Sequence, residues 1–171
     1  ETERWVTQTT VIEPAQDEIV MVGVGAARGN ISFRGTLAYI SGGNSVLLRG
    51  LSAFPESLKT GDGLDGRVFA LSPNGSHLLY TRVTSDTTSF NNSLWIIPTE
   101  RGAESWPLAV ANVLWAGWDP SRAETLSIAY TTAQSTNLPP GWEANNDLWL
   151  GEIDPDPEAE FEPEQLIESY P

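Results

Sequence analysis

Residues 68–82, which read VFALSPNGSHLLYTR, decide the fold of this chain. Apolar residues on both sides of a Ser-Pro-Asn-Gly turn predict two short antiparallel strands. Proline presets φ for a turn, and Asn-Gly tolerates the positive φ of a tight hairpin. After a polar stretch, residues 93–98 (SLWIIP) predict a third strand. Apolar side chains on consecutive positions indicate strands that are buried on both faces.

The same order of strands recurs further along the chain. Residues 113–132 (VLWAGWDPSRAETLSIAYTT) contain a strand, an Asp-Pro turn and a strand that ends in Tyr-Thr. Residues 147–153 (DLWLGEI) then repeat the Leu-Trp strand. A period of roughly 40–55 residues is in the range of propeller blades.

A fainter copy precedes these two. Residues 35–40 (GTLAYI) match the strand that ends in Tyr-Thr, and residues 44–48 (NSVLL) match the Leu-Trp strand, with Leu47 in the place of the tryptophan. Each copy also has room for a fourth strand. These fourth strands are predicted at residues 55–59, 104–110 and 165–169. Four short strands in each unit describe a propeller blade.

Two segments, LSPNGSHLLY (71–80) and SLWIIP (93–98), resemble the repeat of TolB-like, WD-type β-propellers, and DLWL (147–150) resembles its second half. The resemblance covers about residues 28–170. The family's repeat motif forms turns and packs blades, so the resemblance implies an architecture and no catalytic residues. It also implies a protein that binds partner proteins, as periplasmic members of the family do.

The predicted fold is all-β, with three blades of four antiparallel strands at about residues 28–62, 63–112 and 113–171. Residues 1–27 contain two further strand candidates that would form a partial blade. A closed propeller needs about four to eight blades. Three explanations stay open: the chain is a fragment of a longer propeller, the N-terminal strands build a fourth blade, or two copies associate through open blade edges.

Composition narrows the function. The chain of 171 residues starts at Glu1, which indicates a processed protein or a part of a longer one, and carries a formal charge of −14. This charge disfavours nucleic acid and anionic membranes as partners. No apolar run reaches the length of a membrane span. The absence of cysteine excludes disulfides and thiolate metal sites, and one histidine excludes a multi-histidine site.

The sequence predicts no catalytic, cofactor-binding or metal-binding residues. It has no Gly-X-Ser-X-Gly elbow for a serine nucleophile, and His77 falls within a predicted strand. The glycines of residues 23–29 lack the spacing of a dinucleotide fingerprint. Calcium is the one alternative, at the acidic segments 61–66 or 154–158, although neither matches the twelve-residue calcium loop.

Two aromatic residues are candidate partner contacts. Trp142 is predicted in a long loop at residues 133–146, and Phe90 in the corresponding loop at residues 85–92. Aromatic side chains on loops of a rigid scaffold often bind partners. Trp95 and Trp149 instead occupy equivalent repeat positions, which predicts a role in packing between blades, and Trp118 is also expected in the core.

The expected function is a non-enzymatic module that binds a protein partner in the bacterial periplasm or at the cell surface. The lack of cysteine, the acidity and the abundance of Ser, Thr, Asn and Trp favour that location. Two alternatives stay open. One is the propeller region of a prolyl-oligopeptidase-like serine peptidase whose catalytic domain lies outside this chain, and the other is a module that binds carbohydrate or cell wall through Trp142.

Overall fold

The chain is seen here in a computed structural model, which describes residues 35–49, 55–84 and 91–168. Within these ranges it forms twelve β-strands and no helix. The strands build three antiparallel sheets, and the sheets do not close into a barrel. The all-β prediction is therefore confirmed. The two N-terminal strand candidates lie outside the described residues.

Sheets 1 and 2 follow the order of the sequence, whereas sheet 3 has five described strands instead of the predicted four, and its third strand pairs only with its second. Sheet 1 contains β1 (Thr36–Ser41), β2 (Asn44–Arg49) and β3 (Glu56–Ser57). Sheet 2 contains β4 (Leu64–Leu71), β5 (His77–Val83), β6 (Asn92–Pro98) and β7 (Trp106–Ala111). Sheet 3 contains β8 (Val113–Trp118), β9 (Leu126–Ser135), β10 (Trp142–Ala144), β11 (Leu148–Ile153) and β12 (Glu164–Ile167).

Strand register supports the repeat found in the sequence. Tyr80 pairs with Trp95 in sheet 2, and Tyr130 pairs with Trp149 in sheet 3. In sheet 1 the equivalent tyrosine, Tyr39, pairs with Val46. Val46 therefore takes the tryptophan's place, and the assignment of Leu47 is wrong by one residue. The tight turn between β1 and β2 sets this register, and a slip of one residue moves a side chain to the opposite face.

The turn between β4 and β5 explains the Ser-Pro-Asn-Gly motif. Gly75 adopts a φ of 72°, which costs a residue without Cβ little. The side chain of Asn74 accepts hydrogen bonds from the backbone N–H of Ser76, at 3.0 Å, and from the hydroxyl of Ser72, at 2.8 Å. The side chain of Asn74 thus closes the turn, while Gly75 alone supplies the positive φ.

Sheet 2 lies between the other two sheets, and neighbouring side chains of its strands point in opposite directions. Leu78 and Tyr80 pack with Ala38 of sheet 1 and with Leu58, which follows β3. Leu79 packs in the larger cluster that sheets 2 and 3 share. Alternation along each strand gives a sheet two faces, and both are apolar here. This arrangement explains the consecutive apolar residues of β5 and β6.

The tryptophans of the repeat pack between the sheets, as the sequence predicts. Trp95 packs against the cluster of Leu78, Tyr80 and Ile97, on the face of sheet 2 that meets Ala38 of sheet 1, and Trp149 packs in the cluster shared with sheet 2. Each indole N–H donates to the side chain two residues earlier, to Ser93 at 2.8 Å and to Asp147 at 2.8 Å. Trp118 also lies at the junction, where its indole N–H donates to the carbonyl of Ala70.

Candidate interaction surface

Trp142 does not lie in a loop, so that part of the prediction is wrong. β9 continues to Ser135, and β10 pairs with its end, Trp142 opposite Ser135. A hydrogen bond of 2.8 Å between the side chains of Gln134 and Glu143 joins the two strands. The sequence did not predict this hairpin, because the proline- and glycine-rich residues between β9 and β10 are typical of an irregular loop.

The hairpin brings Trp142 to the junction of sheets 2 and 3. The guanidinium of Arg67, on β4, lies 5.7 Å from the centroid of the Trp142 ring. This is within the range of a cation–π contact. Trp142 is half-buried and Arg67 is exposed, so the pair is fixed in place but accessible. Phe90, the second predicted contact, lies outside the described residues.

A polar network that includes Asp65, which accepts a hydrogen bond from the backbone N–H of Arg67, joins the two sheets. The carboxylate of Asp65 accepts hydrogen bonds from the hydroxyl of Thr81 and from the amide of Asn92. Asn92 is buried and also bonds to the backbone of Val113, accepting from its N–H at 2.7 Å and donating to its carbonyl at 3.2 Å. Asn92 therefore ties sheet 2 to the first strand of sheet 3.

A second polar cluster lies at the start of β11. Asp147 is buried, and its carboxylate accepts hydrogen bonds from the N–H and the hydroxyl of Thr132 and from the indole of Trp149. Burial raises the pKa of Asp147, but the hydrogen bonds outweigh this effect and hold the pKa below its ordinary value of 3.8. Asp147 is therefore an anion near neutral pH.

This cluster makes a testable contribution to stability. We expect Asp147→Asn to lower the free energy of unfolding by about 1 kcal/mol near neutral pH, because a carboxylate accepts stronger hydrogen bonds than an amide. With a depressed pKa in the folded state, this contribution is complete well above pH 3.8 and is lost as the pH falls through the folded value. Urea unfolding at about pH 7 and about pH 3 should show the difference shrink in acid. A difference that is the same at both pH values would contradict this role.

The outer face of sheet 3 is apolar and exposed. Trp115 occupies the repeat position of Val68, and its side chain is 53% exposed whereas that of Val68 is 3% exposed. Leu150 likewise corresponds to the buried Ile96 but is exposed. In sheet 2 these positions pack against the following sheet. The outer face of sheet 3 therefore carries the side chains of a packing face.

The one histidine of the chain, His77, lies in β5 directly after the Ser-Pro-Asn-Gly turn region. His77 is half-buried with its ring edge against Trp106, and burial lowers its pKa while the charge of Glu100 partly opposes this. The Ser76 hydroxyl lies 2.8 Å from Nδ1 of His77 but donates to Asn74 within the turn. No three His, Asp or Glu side chains among the described residues could hold a metal ion.

Comparison with models of protein families, with curated proteins and with solved structures gave no match. The residues of this chain are therefore the only basis for proposing its function. Among the residues that the structure describes, none forms a helix with the length and apolar character needed to cross a membrane.

Proposed function

We propose that the three sheets are consecutive blades of a TolB-like β-propeller, and that the chain is a non-enzymatic module that binds a protein partner outside the cytoplasm. The main support for a binding role is the accessible pair of Trp142 and Arg67 at the junction of sheets 2 and 3. Trp and Arg are the residue types most enriched among side chains that dominate binding energy.

The stacking of the sheets supports the blade assignment. Sheets 2 and 3 both direct their Tyr-Trp pair, Tyr80 with Trp95 and Tyr130 with Trp149, towards the preceding sheet. Among the described residues the sheets have three, four and five strands, and a shared order of strands with a constant sense of stacking is also found between the four-stranded blades of a propeller. The exposed apolar face with Trp115 is then the face on which a further blade packs.

The rigidity of the supporting residues favours binding through this end of the sheets. Asn92 and Asp65 connect strands of the two sheets, and the Gln134–Glu143 hydrogen bond holds the hairpin that carries Trp142. A side chain that is already ordered loses little conformational entropy when a partner binds. The resemblance to a family with periplasmic members favours a location outside the cytoplasm, and recovery of the native protein only in the cytoplasmic fraction of cells would contradict it.

Substitution of Trp142 tests the binding role. We expect the immobilised chain to enrich a partner from periplasmic and secreted proteins of the source cells. Trp142→Ala should reduce that enrichment at least about tenfold, as expected for a central aromatic contact. Quantitative mass spectrometry of the bound proteins measures the effect, and thermal melting checks that the variant is folded.

Leu138 provides a matched control, because it lies in the same hairpin and is 71% exposed. Leu138→Ala should enrich the partner as the parent chain does. If the Trp142→Ala variant is folded and binds the same proteins to the same extent, Trp142 is not a partner contact and the proposal for this surface is wrong.

A further inference from the structure

An open groove of about 330 Å³ lies between β7 and the inner face of sheet 3. Aromatic and aliphatic side chains form most of its wall. The lining residues are Leu108, Ala109, Val110, Ala111, Tyr130, Thr132, Trp149, Phe161 and Pro163. Tyr130 and Trp149 are parallel, with ring centroids 6.0 Å apart. The groove therefore presents aromatic surface at a junction of two sheets.

In sheet 2, the position equivalent to this groove shows which chemical group can lie over the tryptophan of the repeat. There the guanidinium of Arg82 lies 4.5 Å from the centroid of the Trp95 ring, and its Nε donates to the carbonyl of Asp62 at 2.9 Å. Arg82 follows Tyr80 by two residues, and Tyr80 pairs with Trp95. The chain thus places a cation over the tryptophan of its second unit.

Sheet 3 has the same tryptophan but no cation at the equivalent position. Tyr130 pairs with Trp149, so the counterpart of Arg82 is Thr132, an uncharged residue that lines the groove. The short side chain of Thr132 bonds to Asp147 and does not reach over the ring as Arg82 does. The groove is thus lined by Trp149 and by the residue that stands where sheet 2 has Arg82.

The charge around the groove is strongly negative. Residues 113–171 contain twelve Asp and Glu residues against one basic residue, Arg122. A smaller hollow of about 150 Å³ adjoins the groove along β7, and Asp154 and Glu160 are among its lining residues. A field of one sign attracts a ligand of the opposite sign and raises its local concentration.

We infer that this groove binds the arginine side chain of a basic peptide segment, with its guanidinium over Trp149. The adjoining hollow continues the groove along β7 and offers Asp154 and Glu160 to a second basic residue of the same segment. This continuation is why a peptide fits better than a small guanidinium compound. The inference depends on residues other than Trp142 and Arg67, so it stands or falls separately from the proposed function.

Short capped peptides test the site directly. N-acetyl-arginine amide should bind saturably to the full chain with a Kd on the order of 1 mM, as expected for a ligand of this size. The peptide Ac-Arg-Gly-Arg-NH2 should bind more tightly. The citrulline analogue, which has the same shape without the charge, should bind at least about tenfold more weakly. NMR of the indole N–H groups measures the affinity and reports whether the Trp149 signal moves.

Two variants of adjacent residues locate the binding site. Thr132→Arg supplies the groove with a guanidinium of its own, as in sheet 2, and should weaken peptide binding at least about tenfold by competition. Thr131→Arg adds the same charge on the opposite face of the strand and should bind as the parent chain does. If Thr132→Arg does not fold, Ala111→Arg serves instead, because Ala111 lines the groove and is exposed.

Four results would overturn the inference. The first two are the absence of saturable binding up to about 20 mM and equal affinity for the arginine and citrulline compounds. The third is unchanged peptide binding by folded Thr132→Arg or Ala111→Arg. The fourth is that the peptide shifts other indole N–H signals but not that of Trp149. If Ac-Arg-Gly-Arg-NH2 binds no better than the single amide, the extension along β7 is wrong.

Discussion

Replacement of Asn92 by alanine should lower the free energy of unfolding by about 4 kcal/mol. The side chain of Asn92 satisfies the N–H and the carbonyl of Val113 and one oxygen of Asp65, and it is buried between two sheets. Alanine leaves the two buried backbone groups of Val113 without that partner, and each unsatisfied buried group costs about 1–3 kcal/mol. The loss corresponds to a decrease in Tm of about 12 °C for a chain of this size.

Urea unfolding followed by tryptophan fluorescence measures this change. Asn137→Ala is the control, since Asn137 is exposed in the β9–β10 hairpin, and it should change stability by less than about 0.5 kcal/mol. A loss below about 1 kcal/mol for Asn92→Ala would mean that Asn92 does not join the sheets as described.

The second large effect is expected for Leu79→Ala, at about 3 kcal/mol. Leu79 is fully buried and packs in the apolar cluster that sheets 2 and 3 share. Truncation removes the transfer free energy of the lost atoms and leaves a cavity, which together cost about 2–5 kcal/mol for a buried leucine. The effect should be the same near pH 7 and near pH 5, because no titrating group is changed.

A control on the same strand separates packing from strand propensity. Val83 lies at the end of β5 and is exposed, so Val83→Ala should cost less than about 1 kcal/mol. Chemical denaturation again provides the measurement. Equal losses for the two variants would show that Leu79 does not pack between two sheets, and this would remove the main support for stacked blades.

Part of the candidate surface was within reach of sequence reasoning. The sequence singles out Trp142 as different from Trp95 and Trp149, because it lies outside the repeated positions. Its surroundings could not be predicted. The pairing of β10 with the end of β9 places the ring at a sheet junction, and Arg67, 75 residues earlier in the chain, reaches it only through the packing of sheet 2 on sheet 3.

The groove over Trp149 illustrates the same division. Arg82 and Thr132 can be compared as equivalent residues only after strand register has aligned the pair Tyr80–Trp95 with the pair Tyr130–Trp149. Its walls come from β7, β9 and β11 and from Phe161 and Pro163, which are distant in the chain. Alignment of the sequence repeats therefore finds the equivalent positions, whereas the packing of the sheets on one another determines which of these positions line a groove.

By itself, the sequence determined the all-β class, the three repeated units and the tryptophans that pack between them. It could do so because these features follow from local patterns: apolar strands, turn residues and a recurrent spacing. The tertiary structure alone decided the register of sheet 1, the β9–β10 hairpin, the network around Asn92 and the exposed face with Trp115. Each of these depends on contacts between residues far apart in the chain, whose geometry local patterns do not contain.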